Sequence, residues 1–333
     1  MKFDYVIGNP PYQEEIESKS ETNGQTPRKN VFHYFQMLAD EITRESSVLI
    51  YPGGRWMHQS GKGLKQFGKS LINDYRLSNI EFYPDAKEIF GNAADIADGI
   101  TIVTKKIKKK TKGYIYSYTQ NGNTQQIFAD NPGDNLIPLN PNDIVITGKI
   151  RTFVENYGLP FLHDAILPRS LFAIESDFVE KNPESVKEYT KGETIEYSKN
   201  IKLFTNDKAG KAGRAKWFVA SRNVIKQNVK YIDEFQVVVS SANAGGQKRD
   251  NQIEIIDNHS AYGRARVGLR SFKTYQEAKN FFDYSNSYLI KYAFLMTDEA
   301  LTSLAMLVPD IVDYTSSNNF IDFAKDIDEQ LFL

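Results

Sequence analysis

Apolar and polar positions along this chain fall into short alternating runs and helical spacings. Phe3, Tyr5, Val6 and Ile7 form an aromatic and β-branched run closed by Gly8, which predicts a short buried strand at the start of the sequence. Residues 31–45 place Val31, Phe35, Leu38 and Ile42 three and four apart, the spacing of one helical face turned to a core. Residues 47–51, SVLIY, read as a strand. Residues 64–75 repeat the helical spacing with Leu64, Phe67, Leu71 and Tyr75, and NIEFY and GITIVT read as two further strands. The order strand, helix, strand, helix, strand, strand predicts an α/β fold, a partial Rossmann-like sheet rather than a helical bundle.

Beyond about residue 113 the pattern changes. Tyr, Asn, Gly and Pro become dense through YTQNGNTQQIFADNPGDNLIPLNPND, which reads as a hairpin and linker. The expected organisation is a first domain over residues 1–120, a linker over 121–145 and a second, mixed α+β domain over 146–333. In the second domain EFQVVVSSA reads as a strand, NAGGQKRD as a glycine turn, and residues from Tyr275 to Leu295 as a helix. No internal repeat is apparent.

Composition narrows the class. At 333 residues with 41% hydrophobic and 25% charged residues, the chain can bury sizeable cores. No run approaches the ~18 apolar residues of a membrane span, and no basic-then-apolar leader is seen. The chain has no cysteine, which excludes disulfides, thiolate metal sites and a cysteine nucleophile; a reducing cytoplasmic setting is expected. The net charge of -1 leaves any phosphate-binding surface to local clustering. KKIKKKTK holds six lysines between Lys105 and Lys112, a pattern whose commonest use is a solvated turn. NDKAGKAGRAKWFVASRNVIKQNVK interleaves Lys208, Lys211, Arg214, Lys216, Arg222, Lys226 and Lys230 with small residues and Trp217, which suits either phosphate contact or a surface loop before a strand.

The sharpest chemistry lies at the end of the first strand. Asn9-Pro10-Pro11-Tyr12 places two prolines, with restrained φ and no N–H, between an amide and an aromatic ring. A side-chain carbonyl and a backbone carbonyl can together accept both hydrogens of an exocyclic amino group, while the ring stacks on a planar base. A tight turn is the competing reading. The same two acceptors would also suit an amide NH2, so an RNA base or a protein glutamine is a further possible target.

NPPY after FDYVIG resembles the catalytic motif of adenine-specific N6 DNA methyltransferases, and GNPPYQEE is most similar to the methylase region of type IIG restriction-modification enzymes. The similarity extends through VFHYFQMLADEI, SSVLIYPGGRWM and IFGNAADIADGITIVTKKIK. More weakly, SFKTYQEAKNFFDYSNSYLIKYAFLM and FAKDIDEQLF resemble the end of the target-recognition region. The resemblance implies methyl transfer from S-adenosylmethionine to adenine N6 in double-stranded DNA. Asn9, Pro10, Pro11 and Tyr12 would be the catalytic residues, and Phe90 would pack on the other face of the flipped base. An ordinary core role for Phe90 is equally open. The family's glycine-rich cofactor loop precedes the motif, and the nearest glycine-rich stretch here, SSANAGGQKRD, lacks the acidic residue expected about twenty positions on. The expectation is therefore that a missing amino-terminal S-adenosylmethionine-binding half or partner subunit completes the enzyme, and that Phe3 to Ile7 lie on an unpaired edge. The alternative is a DNA-binding specificity fragment that performs no chemistry.

The remaining candidates are weaker. Arg55 and Trp56 in PGGRWM are possible contacts to DNA or the target base, and Lys248 and Arg249 in QKRD are possible phosphate contacts, as are Lys208, Lys211 and Arg214. Glu14 and Glu15 read as a solvated loop. His33, His58, His163 and His259 show no metal-ligand spacing, so no metal is expected.

Overall fold

A computed structural model describes residues 1–15, 28–54, 56–57, 64–93, 96, 99–133, 137–210, 212–241, 253–296 and 304–331. The chain divides into two compact units, Met1–Gly148 and Lys149–Leu333.

Among the described residues, the first unit is an α/β layer built on a six-stranded sheet. Its strands are β1 (Phe3–Gly8), β4 (Thr43–Pro52), β5 (Leu77–Tyr83), β6 (Ile100–Lys106), β7 (Tyr114–Gln120) and β8 (Asn123–Ala129), in the order β1-β4-β6-β5-β7-β8. A small hairpin of β2 (Gln13–Glu15) and β3 (Arg28–Asn30) stands beside it. β1 runs parallel to β4, and β5 parallel to β7, while β6 runs antiparallel between β4 and β5. The carboxyl ends of β1, β4, β5 and β7 therefore share one end of the sheet. Residues 123–129, expected as linker, form β8 because Asn121-Gly122 closes a two-residue turn whose φ values of 53° and 73° suit a tightly twisted hairpin.

One face of this sheet carries the core. Leu49 and Tyr51 of β4, Val103 of β6, Ile80 and Phe82 of β5, and Tyr114 and Tyr116 of β7 pack with residues of two helices, α1 (Phe32–Ile42) and α2 (Leu64–Ile72). Here α1 departs from its expected phase. Its buried residues are Phe32, Gln36 and Ala39, whereas Phe35 and Leu38 are 37% and 50% exposed. The cause is Gln36, which is polar yet buried: it accepts a hydrogen bond from the Tyr51 hydroxyl and donates to Asp40 at 2.7 Å. A satisfied amide can occupy a core position, and this one turns the helix so that two apolar residues face outward.

Asp40 is the hinge of a buried ionic cluster. Lys105, 1% exposed, reaches Asp40 and Asp74 at 2.6 Å each, and Arg76 contacts the same two carboxylates. Within KKIKKKTK, Lys108 pairs with Glu45, and Lys109 donates to the carbonyls of Tyr75, Thr111 and Gly113. Half of this lysine run is therefore engaged within the unit.

The second unit contains a four-stranded sheet in the order β14-β10-β11-β9 and a three-stranded sheet in the order β13-β12-β15, comprising β9 (Val186–Glu188), β10 (Asn200–Asn206), β11 (Ala215–Ser221), β12 (Phe235–Ser240), β13 (Glu254–Ile256), β14 (Ser260–Tyr262) and β15 (Arg266–Phe272). Leu203, Phe218, Val238, Ile256 and Tyr262 lie in its core. Helix α4 (Asp143–Tyr157) contains the point of division between the units, and α5 (Phe178–Lys181) and α8 (Ile327–Gln330) are single turns. The expected helix over 275–295 is two helices, α6 (Tyr275–Asn286) and α7 (Tyr288–Leu295). They break at Ser287, which is extended and donates its hydroxyl to the Tyr284 carbonyl at 2.7 Å. Together the units form a partial Rossmann-like α/β sheet followed by a mixed α+β region. Among the described residues no helix is long and apolar enough to cross a membrane.

The ionic cluster generates a stability prediction. Burial opposes ionisation of Asp74, but hydrogen bonds from Arg76 and Lys105 outweigh it and hold the carboxyl well below its ordinary 3.8. A folded pKa below the unfolded one gives stabilisation that is present above about pH 4 and lost as the pH falls. Lys105→Met should cost about 2–4 kcal/mol, because it strands two half-buried carboxylates. In urea titrations from pH 7 to pH 3, Asp74→Asn should flatten the acid loss seen for the unaltered chain.

Candidate nucleic-acid interface

The motif leaves the sheet at the carboxyl end of β1. Gly8 pairs with Leu49 in the parallel register, so Asn9 begins where hydrogen-bonded strand stops. Asn9 is exposed, Pro10 is buried, Pro11 is exposed and Tyr12 is half-buried. Pro10 anchors the turn while Asn9 faces solvent. Tyr12 is held from two sides. Its carbonyl accepts from the Val31 amide at 3.0 Å, continuing the pairing of the β2–β3 hairpin, and its ring packs on the core cluster. The Tyr12 hydroxyl is buried without a hydrogen-bond partner among the described residues, and burial raises its pKa.

The neighbouring strand ends are locked to one another. After β4, Gly53 has a φ of +62° and donates to the Gly99 carbonyl at 2.7 Å. Gly99, at φ +73°, lies so close to β5 that an added Cβ would sit 2.1 Å from the Tyr83 carbonyl oxygen. Only glycine fits there. Thr101 donates to the Gly53 carbonyl at 3.2 Å and accepts from the Trp56 indole at 2.9 Å.

This places Trp56 in the core. It is fully buried, with Tyr51 and Phe67 rings about it at 6.0 Å, and has no surface to offer a base. The reading of Trp56 as a nucleic-acid contact is corrected accordingly. Arg55 and His58 lie outside the described residues. Phe90 is half-buried at the end of the short helix α3 (Lys87–Phe90), which follows β5 at the same end of the sheet as Asn9. Glu14 and Glu15 are exposed on β2, where Glu15 pairs with Arg28 at 3.4 Å. His33 lies tilted against Tyr34 with ring centres 4.1 Å apart, and burial and Lys29 lower its pKa. Among the described residues no group of three or more His, Asp or Glu could hold a metal.

In the second unit, Lys208 and Arg214 are exposed in the connection between β10 and β11. That connection is pinned. Asp207 accepts from the Arg214 amide at 2.8 Å, Glu180 accepts from the Ala209 amide at 2.7 Å, and an added Cβ on Gly213 would sit 2.0 Å from the Lys208 carbonyl oxygen. Further along the run, Lys216 pairs with Glu188 and Arg222 with Asp233, while Lys226 and Lys230 are exposed. Trp217 packs against Phe204 at 5.1 Å, with the Lys202 ammonium 5.6 Å from its ring centre. Lys211, Lys248 and Arg249 lie outside the described residues.

Residues 1–90 match the family model described as Eco57I restriction-modification methylase, and this stretch is therefore similar in sequence to restriction-modification methylases. An uncharacterized adenine-specific methylase of Mycoplasma pneumoniae is 29% identical over 124 residues, a match covering 34% of this chain and 28% of that protein. Among solved structures, the type IIL restriction-modification enzyme MmeI in complex with DNA aligns over 90% of this chain and 44% of its own, at 10% identity and a TM-score of 0.42. The type IIG restriction endonuclease BpuSI aligns over 92% and 47%, at 11% identity and a TM-score of 0.33. The chain thus spans less than half the length of these relatives.

Trp56→Ala should act on stability alone. Removing a fully buried indole is expected to cost about 3–5 kcal/mol in chemical denaturation. Binding of the remaining folded protein to duplex DNA in a filter assay should be unchanged. A selective loss of DNA affinity at unaltered stability would restore Trp56 as a contact.

Proposed function

We propose that this chain carries the target-base site and DNA-recognition region of an adenine N6 DNA methyltransferase of a restriction-modification system, acting in the cytoplasm. One observation carries this reading: Asn9 is solvent-facing and Tyr12 is anchored at the carboxyl end of a sheet strand, within the stretch similar to restriction-modification methylases. Adenine N6 is a poor nucleophile because its lone pair is delocalised into the ring. Acceptance of both N6 hydrogens by Asn9 Oδ1 and the Pro10 carbonyl would favour a more tetrahedral nitrogen and fix its direction. The target must leave the duplex, and Tyr12 and Phe90 would hold the flipped base. Residues 1–120 form the catalytic part in this reading, and the region after residue 145 the target-recognition part.

S-adenosylmethionine would supply the methyl group. Among the described residues no S-adenosylmethionine-binding motif is seen. The chemistry assigned to this chain is therefore confined to the base. The free edge of β1 supports a cofactor-binding half docking there. Among the described residues β1 is the outer strand of its sheet, and Phe3, Tyr5 and Ile7, on the face away from the core, are 48%, 69% and 79% exposed. On α1, which packs beside β1, Tyr34, Phe35, Met37 and Leu38 are also exposed. An unpaired edge with apolar groups on both flanks suits a further strand with its own covering layers. Calorimetry on this chain alone should accordingly show no micromolar affinity for S-adenosylmethionine.

Two sets of variants test the reading. In the methylation-competent enzyme, Asn9→Ala should abolish methyl incorporation into unmethylated DNA while leaving thermal stability and DNA binding intact. Parallel loss of stability and activity, rescued by Asn9→Asp, would identify a turn residue. Tyr12→Ala should weaken capture of the base by about 1–3 kcal/mol. Tyr12→Phe should be mild, because the hydroxyl it removes is buried without a partner. Methylation that survives Asn9→Ala in folded protein would leave the DNA-binding fragment as the function.

The recognition region is tested by salt. Arg214→Glu should lower DNA affinity and reduce the slope of log affinity against log salt by about one unit, as loss of one phosphate contact requires. An unchanged slope would move the phosphate surface away from the β10–β11 connection.

A further inference from the structure

The helix carrying Phe90 has little packing of its own to hold it. Four residues cannot sustain a helix in water, and α3 itself buries no residue, the preceding Ala86 being its nearest buried side chain. Ile89 is exposed, and Gly91 ends the helix at a φ of +57°. Asp85 caps the helix locally by accepting from the Lys87 amide at 2.9 Å, and a second restraint comes from a distant turn. Glu88 accepts hydrogen bonds from the Asn121 amide at 2.8 Å through one carboxylate oxygen and from the Gly122 amide at 3.3 Å through the other. Those successive amides are the two central residues of the β7–β8 turn, and both have positive φ. Their N–H groups have no partner within a two-residue hairpin loop of this kind, so the carboxylate satisfies donors that would otherwise face water.

β5 and β7 run parallel and are neighbours. The tether therefore closes a bracket across the sheet end: β5 leads into α3, and the turn after β7 holds α3 back against the strand ends. We propose that Glu88 is a positioning residue that fixes α3 so that Phe90 is presented at the sheet end bearing Asn9. This rests on the reading of Phe90 as a face of the base site. Glu88 has no contact with base or cofactor in this proposal. It acts through the short helix.

The test has two arms. Hydrogen exchange on the unliganded full chain reads the tether without DNA. Glu88→Ala should speed exchange at the amides of Phe90 and Gly91 about tenfold, with Glu88→Gln intermediate because a neutral amide keeps an acceptor, and the global melting temperature should be unchanged. Unaltered exchange in Glu88→Ala would overturn the proposal. The second arm measures methyl incorporation into unmethylated genomic DNA by the methylation-competent enzyme. Glu88→Ala should lower kcat with KM for DNA preserved, and adding it to Phe90→Ala should cause no further loss, since both act through one element. If Phe90→Ala lowers kcat and Glu88→Ala does not, the positioning role falls while the base-site reading stands. If Phe90→Ala has no effect, that reading falls, and the exchange arm still decides whether Glu88 holds the helix.

Discussion

The parallel pairing of β1 with β4 is the constraint on which the candidate site depends. Among the described residues β1 is bonded to the sheet along one edge only, and its register with β4 ends at Gly8 opposite Leu49. A slip by one residue would turn Val6 away from the core and bring Tyr5 and Ile7 inward. It would also carry Asn9 to the opposite face of the sheet. Two features oppose such a slip. Val6 packs on the core cluster, and the hydrogen bond from Val31 to Tyr12 ties the far side of the motif to the segment leading into α1. The motif is thus a stiff span fixed at both ends, with Asn9 free between them.

The rest of the sheet end is made rigid by close backbone approach. Gly99 approaches the Tyr83 carbonyl too closely to admit a side chain, Gly53 donates to the Gly99 carbonyl, and Thr101 joins the Gly53 carbonyl to the Trp56 indole. Rigid backbone suits a site that must hold a planar group in one orientation, since misplacement of reacting atoms by even an ångström is costly. The opposite end of the same strands is secured differently, by Lys105, Asp40, Asp74 and Arg76. Charge holds one end of the sheet and glycine packing the other.

Much of the first unit was legible in the sequence because its strands are β-branched runs and its punctuation is strong. The existence of the strand before Asn9 and of both helices, and their order along the chain, follow from period and composition, but Phe3, Tyr5 and Ile7 are exposed where the pattern predicts a buried strand, because β1 lies at the sheet edge. What else escaped the pattern shares one cause. The phase of α1 depends on Gln36, whose burial is permitted by the Tyr51 hydroxyl fifteen residues away. Trp56 sits in a segment that reads as a polar loop, yet Thr101 on another strand satisfies its indole. Glu88 carries no local signal at all, since its partners are backbone amides 33 and 34 positions on. Periodicity assigns burial by residue type, whereas each of these positions is decided by a hydrogen bond to a distant element.

The same contrast bears on charge. The run from Lys208 to Lys230 is dense in cations by sequence, but Glu188, Asp207 and Asp233 fold against it and compensate Lys216 and Arg222. A phosphate surface here would not draw on Lys216 and Arg222, and hydrogen bonding and close approach around Asp207 and Gly213 restrain the backbone beside Lys208 and Arg214. A fixed loop loses less conformational entropy on binding than a mobile one. A small number of positioned cations can therefore matter more than the local excess of lysine suggests, which is why the net charge of the chain says so little about whether it binds nucleic acid.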